Sequence, residues 1–361
     1  MRSSWLFSRR ADLALFGGPV VAALLLLGAG QAAGLLDGDA PPWLFLLAVV
    51  GVDVAHVWST GWRVYADGEE MRSRLALYLG IPAVCYAAGV VLYGTSPLLF
   101  WRVLAYLAVF HFVRQQYGWV ALYRRKNAEE GGLPRLLDSA VIYGSTLTPL
   151  LFWHAHQPRR FQWFLQGDFL RGLPPAVSDA AFALYGLLAA AYVVKEGARA
   201  RRGLPVSWGK NLVVATTALT WFLGIVVLNS DYAFTVTNVL VHGVPYAGLV
   251  WFTQKTRAAE RAAAGRRPRL SDFAVRSAAL FLVPLVAVAW LEEWGWDRLV
   301  WHDHAVLFPG PALSPGALVL AFLVPLLALP QATHYVLDGF IWKVRRENAA
   351  AARAVGLPEP A

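Results

Sequence analysis

The chain has 361 residues, of which 57% are hydrophobic and 15% are charged, with a mean hydropathy of +0.47 and a formal net charge of +9. This balance excludes an ordinary soluble globular protein and predicts a polytopic membrane protein. A single cysteine, Cys85, excludes a disulfide framework and a cysteine-based zinc site within one chain.

The lengths of the apolar runs predict an all-α bundle of about ten transmembrane helices in one domain, residues 1–361, with no soluble domain. In chain order, the expected spans lie near residues 13–36, 42–64, 75–93, 98–123, 136–153, 175–195, 209–228, 233–253, 272–292 and 316–342. The first run ends in small residues, so a cleaved signal peptide is the alternative, but the run is long enough to span. Two outer loops rich in Trp and Phe, 154–172 and 294–316, are expected to lie on the membrane surface.

The distribution of basic residues predicts the orientation of these spans. If the N-terminus is cytoplasmic, five of the 32 Lys and Arg residues lie outside and one lies within a span, which leaves 32 − 6 = 26 on the inner side. The six exceptions are Arg102, Arg159, Arg160, Arg171 and Arg298 outside, and Arg114 within a span. This bias predicts that both termini are cytoplasmic, in a multi-pass protein of the inner membrane. It also explains the positive charge without nucleic-acid binding.

Four histidines lie within predicted spans. They are His56, His111, His242 and His334, in the second, fourth, eighth and tenth spans. Even-numbered spans run in the same direction, and counting to the first basic residue downstream places all four histidines near the midplane or in the inner half of the bilayer. Ionisable residues inside a membrane usually mark a function. We therefore expect the four side chains to meet at one metal site, with interhelical hydrogen bonding as the structural alternative.

The polar neighbours of these histidines indicate how such a site is built. Asp53 precedes His56 by about one turn and Asp338 follows His334 by one turn, so each carboxylate is expected to accept an imidazole N–H and orient the ring behind the metal. Arg114 and Gln115 follow His111 and are predicted to orient the polar end of a substrate. A glycine lies beyond each histidine, and such glycines let helices approach closely. These are Gly61, Gly118, Gly248 and Gly339.

Two further histidine pairs lie in the expected outer loops, His154-Ala155-His156 and His302-Asp303-His304. In an extended backbone, both rings of such a pair lie on one side, where they could bind zinc or copper. Solvated loop residues are the preferred interpretation.

Histidines supplied by several membrane helices resemble, in residue type and number, the carotenoid-cleaving integral membrane dioxygenases, in which four helical histidines hold iron. The resemblance assigns no role to an individual residue. The sequence contains no HExxH, P-loop, GxSxG or CxxCH motif. It also lacks the clustered HxxxH and HxxHH boxes of membrane desaturases, which argues against a di-iron enzyme of that type.

The sequence therefore favours a non-haem iron oxidoreductase or oxygenase, in which nitrogen ligands hold one transition metal. An apolar lipid or isoprenoid substrate would enter from the bilayer, and a partner protein could donate electrons. Zinc and copper are alternatives to iron. The alternative functions are an electron carrier with paired bis-histidine b haems, since the histidines fall at two depths, and a proton- or ion-coupled transporter.

Overall fold

The computed structural model describes residues 4–129 and 131–357, and this part of the chain is built from helices. Ten helices are long and apolar enough to span a membrane. They are α1 Arg9–Ala32, α2 Pro42–Tyr65, α3 Leu75–Thr95, α4 Pro97–Lys126, α5 Leu133–Ala155, α6 Pro175–Arg201, α7 Trp208–Val227, α8 Asp231–Ala263, α9 Ala278–Trp301 and α10 Ala317–Ile341. The predicted helical bundle is confirmed, the number of helices able to span agrees with the ten expected, and these helices indicate a multi-pass membrane protein.

Two spans are shifted from the expected positions, and two others extend further than expected, the sixth to Arg201 and the eighth to Ala263. α1 begins at Arg9 rather than Leu13, because the Ser8 hydroxyl accepts a hydrogen bond from the Ala11 N–H and so caps the helix four residues earlier. The ninth span, expected at 272–292, begins at Ala278 and continues to Trp301. A separate short helix, Leu270–Ala274, precedes it. The expected outer loop at 294–316 is therefore partly helical.

Three of the four helices that carry the intramembrane histidines are irregular, whereas α4 is a continuous α-helix. α2 contains π-helical stretches at Phe45–Val54 and Gly61–Tyr65, on either side of His56, and α8 contains one at Thr235–Val239. α10 is divided into Ala317–Leu327 and Leu329–Ile341. Pro330 lies in the first turn of the second segment, where a missing N–H is tolerated. Such π-helical insertions occur frequently at functional sites.

α8 lies at the centre of the bundle, since 83% of its most apolar stretch is buried, against 11% for α3 and α6. Glycines bring its neighbours close: a Cβ added at Gly243 would lie 2.7 Å from Val52 Cγ1, and one at Gly248 would lie 2.7 Å from Leu15 Cδ1. The close approach predicted at Gly248 is therefore confirmed. The same prediction is wrong for three other glycines, which have open space within 4 Å. These are Gly61, Gly118 and Gly339.

Buried ion pairs join the ends of several spans. In α5, Asp138 is fully buried and contacts Arg124, Lys195 and Lys210 from α4, α6 and α7. A second network surrounds Asp67 and Glu70, between α2 and α3, and includes Arg63 and Arg257. Buried charges require such partners. These networks therefore fix the register of the helices at one end of the bundle.

Candidate metal centre

The four intramembrane histidines converge in the interior of the bundle and are called the histidine cluster. His56, His111, His242 and His334 are each no more than 3% exposed. His111 Nε2 lies 3.2 Å from His242 Nε2 and 3.2 Å from His334 Nε2. The ring centroid of His56 lies 4.7 Å from that of His242 and 5.0 Å from that of His334. α2, α4, α8 and α10 thus each contribute one imidazole to a single cluster.

These distances fit nitrogen ligands to one ion. Two nitrogens bound at about 2.1 Å to a common ion lie about 3.0–3.4 Å apart at angles between square and tetrahedral. The cluster also contains unused buried nitrogens: both ring nitrogens of His56 and Nδ1 of His242 have no hydrogen-bond partner. Buried polar atoms normally have one. Donor atoms from His56, His111 and His242 lie within 4.8 Å of one another, as do those from His111, His334 and Asp338.

Packing holds the rings in these positions. Phe112 stacks on the His242 ring with centroids 3.5 Å apart and planes 10° apart. Gly243 leaves room for α2, because a Cβ there would lie 3.3 Å from His56 Nδ1. The positions of these rings are therefore set by α4 and by the close contact of α2 with α8.

A second layer of polar side chains, called the polar layer, lies one turn further along the same helices. Each histidine is followed four residues later by one of them, which places both on one helix face. The polar layer consists of Thr60, Gln115, Tyr246 and Asp338. The expectations from sequence included Gln115 and Asp338 but missed Thr60 and Tyr246. The shared spacing of four residues was the signal that could have identified both.

Thr60 contacts His334 rather than a residue of its own helix, since its Oγ1 lies 2.8 Å from His334 Nδ1. The expected partner, Asp338, lies 3.9 Å from His334 Nε2 and closer, at 3.4 Å, to His111 Nδ1. The expected hydrogen bond within α10 is therefore replaced by one between α2 and α10. This difference arises because the rotation of each helix determines which neighbour a side chain meets.

Asp338 is held by two hydrogen-bond donors, one in α8 and one directly after α10. Its Oδ1 accepts hydrogen bonds from Tyr246 Oη at 2.7 Å and from Trp342 Nε1 at 3.1 Å. Its Oδ2 is left facing His111 at 3.4 Å. The second expected carboxylate, Asp53, places Oδ1 3.5 Å from His56 Nδ1, but that nitrogen has no hydrogen-bond partner. Asp53 is therefore adjacent to His56 without orienting it through a hydrogen bond.

A cavity of about 1390 Å³ leads from the histidine cluster along α4, α5, α8 and α10. His111 and Asp338 line its inner part, and Arg114 and Gln115 also face it. Most of its wall is apolar. The cavity therefore gives a long, largely apolar ligand a route to the cluster.

The two residues expected to orient a substrate have different partners. The guanidinium of Arg114 donates to the hydroxyl of Tyr143 and lies 4.9 Å from the centroid of the Tyr117 ring. Gln115 donates from Nε2 to the His242 carbonyl at 2.8 Å, and its Oε1 is buried without a partner. Arg114 thus remains able to meet a ligand, whereas one end of Gln115 supports α8.

The two other histidine pairs do not form extended pairs in the structure. His154 lies within α5 and contacts Tyr106 Oη through Nε2 at 2.8 Å. His302 has a left-handed backbone, with φ of 65°, and the His304 ring packs on Phe45 with centroids 3.9 Å apart. Among residues 4–129 and 131–357, the only groups of three or more potential ligands close enough to hold a metal ion belong to the histidine cluster and Asp338. The proposal of a zinc or copper site at these pairs is therefore not supported.

Comparison with protein-family models, with curated proteins and with solved structures found no match for this chain. The interpretation of the site consequently rests on its own geometry.

Proposed function

We propose that the chain is a membrane oxidoreductase in which the histidine cluster holds one non-haem transition metal, with iron as the preferred ion. The observation that carries the proposal is the convergence of four buried imidazoles, in which His111 Nε2 lies 3.2 Å from Nε2 of both His242 and His334. Nitrogen ligands suit iron, copper and zinc, and the intramembrane setting suits an apolar substrate. Bound iron would supply redox and oxygen chemistry that amino acid side chains lack.

Residues of this chain would bind the metal, orient the ligating rings and exclude water from the site. His56, His111, His242 and His334 are the proposed ligands. Thr60 and Asp338 set ring orientation, because a hydrogen bond or a carboxylate behind a ligating imidazole fixes its tautomer. Complete burial of the cluster keeps bulk water away from the reacting atoms.

The cavity favours a lipid or isoprenoid as the substrate. Phe110 and Leu147 line it and are 61% and 45% exposed, so an apolar molecule can enter between α4 and α5 from the bilayer. Arg114 is the proposed contact for a polar group of that molecule. Cleaving a carbon–carbon double bond with O₂ places one oxygen atom on each new carbonyl and needs no added electrons. Hydroxylation needs two electrons from a donor, so an electron-donating partner is proposed only for that reaction.

The geometry argues against the haem alternative. Imidazoles on opposite faces of one haem iron have nitrogens about 4 Å apart, twice a metal–nitrogen distance of about 2.0 Å. The 3.2 Å between His111 and His242, whose planes are 84° apart, leaves no space for a porphyrin between them. The histidines also form one cluster rather than two tiers. Transport is the function that a protein without bound metal or haem would favour.

Elemental analysis and a visible spectrum of the purified protein test this proposal. We expect roughly one iron per chain and no haem absorbance. His56→Ala and His334→Ala should each lower metal content by more than half, whereas His156→Ala, whose ring contacts the Phe152 carbonyl at the outer end of α5, should leave it unchanged. A haem spectrum would support electron transfer instead. A folded, monodisperse preparation without metal or haem would overturn the proposal and favour transport.

A further inference from the structure

Three cations surround the end of the cavity that lies furthest from the histidine cluster, and we call them the cationic rim. Arg125 lies in the last turn of α4, Arg135 lies in the first turn of α5 and Lys343 follows α10, so three separate elements bring them to one opening. All three are exposed, and within residues 4–129 and 131–357 none of them forms an ion pair with a carboxylate. The rim therefore has positive charge that the described chain does not neutralise.

The carboxylates that line the cavity do not compete for this charge. Glu129 is bound by Lys210 at 2.6 Å and by Arg124 at 3.4 Å. Asp338 accepts hydrogen bonds from Tyr246 and Trp342 at the opposite end. An anion at the cationic rim would consequently meet these three cations, and among the described residues no free carboxylate on the cavity wall opposes it.

The length of the cavity between the histidine cluster and the cationic rim matches a long hydrocarbon chain. Arg125 lies fourteen residues after His111 on the same helix, which corresponds to about 21 Å along the helix axis at about 1.5 Å per residue. The wall between them includes Leu122, Leu249 and Val336. A ligand that spans this distance needs an apolar body as long as a lipid chain.

We propose that the cavity binds a single-chain lipid anion, with its acidic head at the cationic rim and its chain directed towards the histidine cluster. This inference rests on the proposed function and names the substrate class of that site. The rim would fix how far along the chain the cluster can act, so the position of reaction would be set by distance from the head. Arg114 lies only three residues from His111 and contacts Tyr143 and Tyr117, so the polar group that it is proposed to contact lies along the body of the ligand near the cluster, and the acidic head lies at the rim.

Binding of radiolabelled palmitate to the protein in nanodiscs of zwitterionic lipid tests the inference, with protein-free discs as the background. The triple variant Arg125→Gln, Arg135→Gln, Lys343→Gln should bind palmitate at least about tenfold more weakly, because each cation near a membrane surface attracts an anion appreciably. A matched variant, Arg201→Gln, Arg202→Gln, Arg267→Gln, removes the same charge from exposed sites away from the cavity and should bind normally. Methyl palmitate, which lacks the charge, should not distinguish the two variants.

Metal content of each variant separates this inference from the proposed function. Weaker palmitate binding with unchanged metal supports the rim. Equal weakening in both triple variants would show only general attraction of anions to a positive surface and would overturn the inference. The inference would also be overturned if Arg114→Gln lost palmitate binding while the triple variant of the cationic rim bound palmitate normally. The acidic head would then lie beside the histidine cluster. Neither result changes the metal content expected for the protein. Only a sample without bound metal would contradict the proposed function itself.

Discussion

Thr60 shows how a residue of ordinary chemistry acquires a specific role from its position. It follows His56 by four residues in α2, yet its hydroxyl contacts His334 of α10 at 2.8 Å. Thr60 is 4% exposed, so water has little access to replace its hydroxyl. A hydrogen bond at Nδ1 leaves Nε2 as the nitrogen that faces the cluster. Thr60 therefore decides which nitrogen of His334 is available to a metal.

We predict that Thr60→Val lowers metal affinity by about 10–100-fold without emptying the site, the usual effect of losing a residue that orients a ligand. Valine keeps the shape of threonine and removes only the hydroxyl. Affinity is measured by competition with a chelator of known strength. Thr60→Ser should recover most of the loss, because it restores the hydroxyl.

Two further variants identify the residue that orients His334. Thr216→Val removes a hydroxyl that bonds only to its own helix, at the Leu212 and Val213 carbonyls, and should leave metal affinity unchanged. Asp338→Asn should also weaken binding, through its contact with His111. If Thr60→Val leaves metal affinity unchanged, the contact between Thr60 and His334 does not orient His334, whatever Asp338→Asn does through His111.

For single residues, the sequence reveals which side chains are unusual in a membrane helix but not which of them contact one another. Histidines inside apolar runs are visible because burying them is costly. The pairing of Thr60 with His334, and of Asp338 with His111, depends on how α2, α4 and α10 are rotated, and no local spacing contains that information. Tyr246 was overlooked because tyrosine in a span is common.

Among the elements, the short helix Gly68–Ser73 between α2 and α3 carries the densest charge network. Asp67 caps it by accepting from the Glu69 and Glu70 N–H groups. Asp67 also contacts Arg257 at 3.1 Å, and Glu70 contacts Arg63 at 3.1 Å. The sequence suggested only a basic inner loop here. Arg257, which pairs with Asp67, lies in α8, 190 residues further along the chain.

This network makes stability depend on pH. Burial acts to raise the pKa of Glu70, but Arg63, Arg257 and the Tyr78 hydroxyl together lower it below its ordinary value of 4.5. The pKa of Asp67 is likewise lowered, because Arg257 and Arg261 outweigh the effect of burial. A lowered pKa means that folding favours the ionised form. The stabilisation is complete above the ordinary pKa values and is lost as the pH falls below about 4 towards the folded pKa values.

We predict that Glu70→Gln destabilises the protein by about 3–5 kcal/mol, the usual cost of removing one partner from a buried ion pair. Thermal unfolding in detergent between about pH 3 and pH 7 measures this. The wild type should lose stability at the acid end, and the variant should lose less, because one of the titrating carboxylates is gone. Glu69→Gln is the matched control: its side chain is 54% exposed and its ion pairs contribute at most about 1 kcal/mol. Equal destabilisation by both substitutions would contradict the prediction.

For the whole molecule, hydropathy predicted the number of spans correctly because a membrane requires long apolar helices whatever their neighbours are. It placed the ninth span at 272–292 instead of Ala278–Trp301, since buried acidic residues in α9 made an apolar segment resemble the start of a loop. Glu292, for example, is buried and accepts a hydrogen bond from Trp58 Nε1 at 2.6 Å. Composition could not reveal that partner, and so it could not show that the helix continues.

The last prediction concerns the orientation of the ten spans in the proposed inner (cytoplasmic) membrane. Positive charge favours cytoplasmic loops, so the loops after α6 and α8 should be inside and those after α5 and α9 outside. In a Cys85→Ser background, Arg171→Cys and Leu313→Cys should react with a membrane-impermeant maleimide in cells whose outer envelope admits it. Arg202→Cys and Arg267→Cys should react only after the inner membrane is permeabilised.

The four positions separate two kinds of failure. Reversed labelling of all four would keep the ten spans and invert the protein, which would place the cationic rim on the outer side, away from the anionic inner leaflet. Labelling of Arg171→Cys and Arg202→Cys from the same side would instead show that α6 does not cross. The even-numbered spans would then cease to run in one direction, and the alignment of the histidine cluster with the polar layer along four parallel helices would require a different explanation.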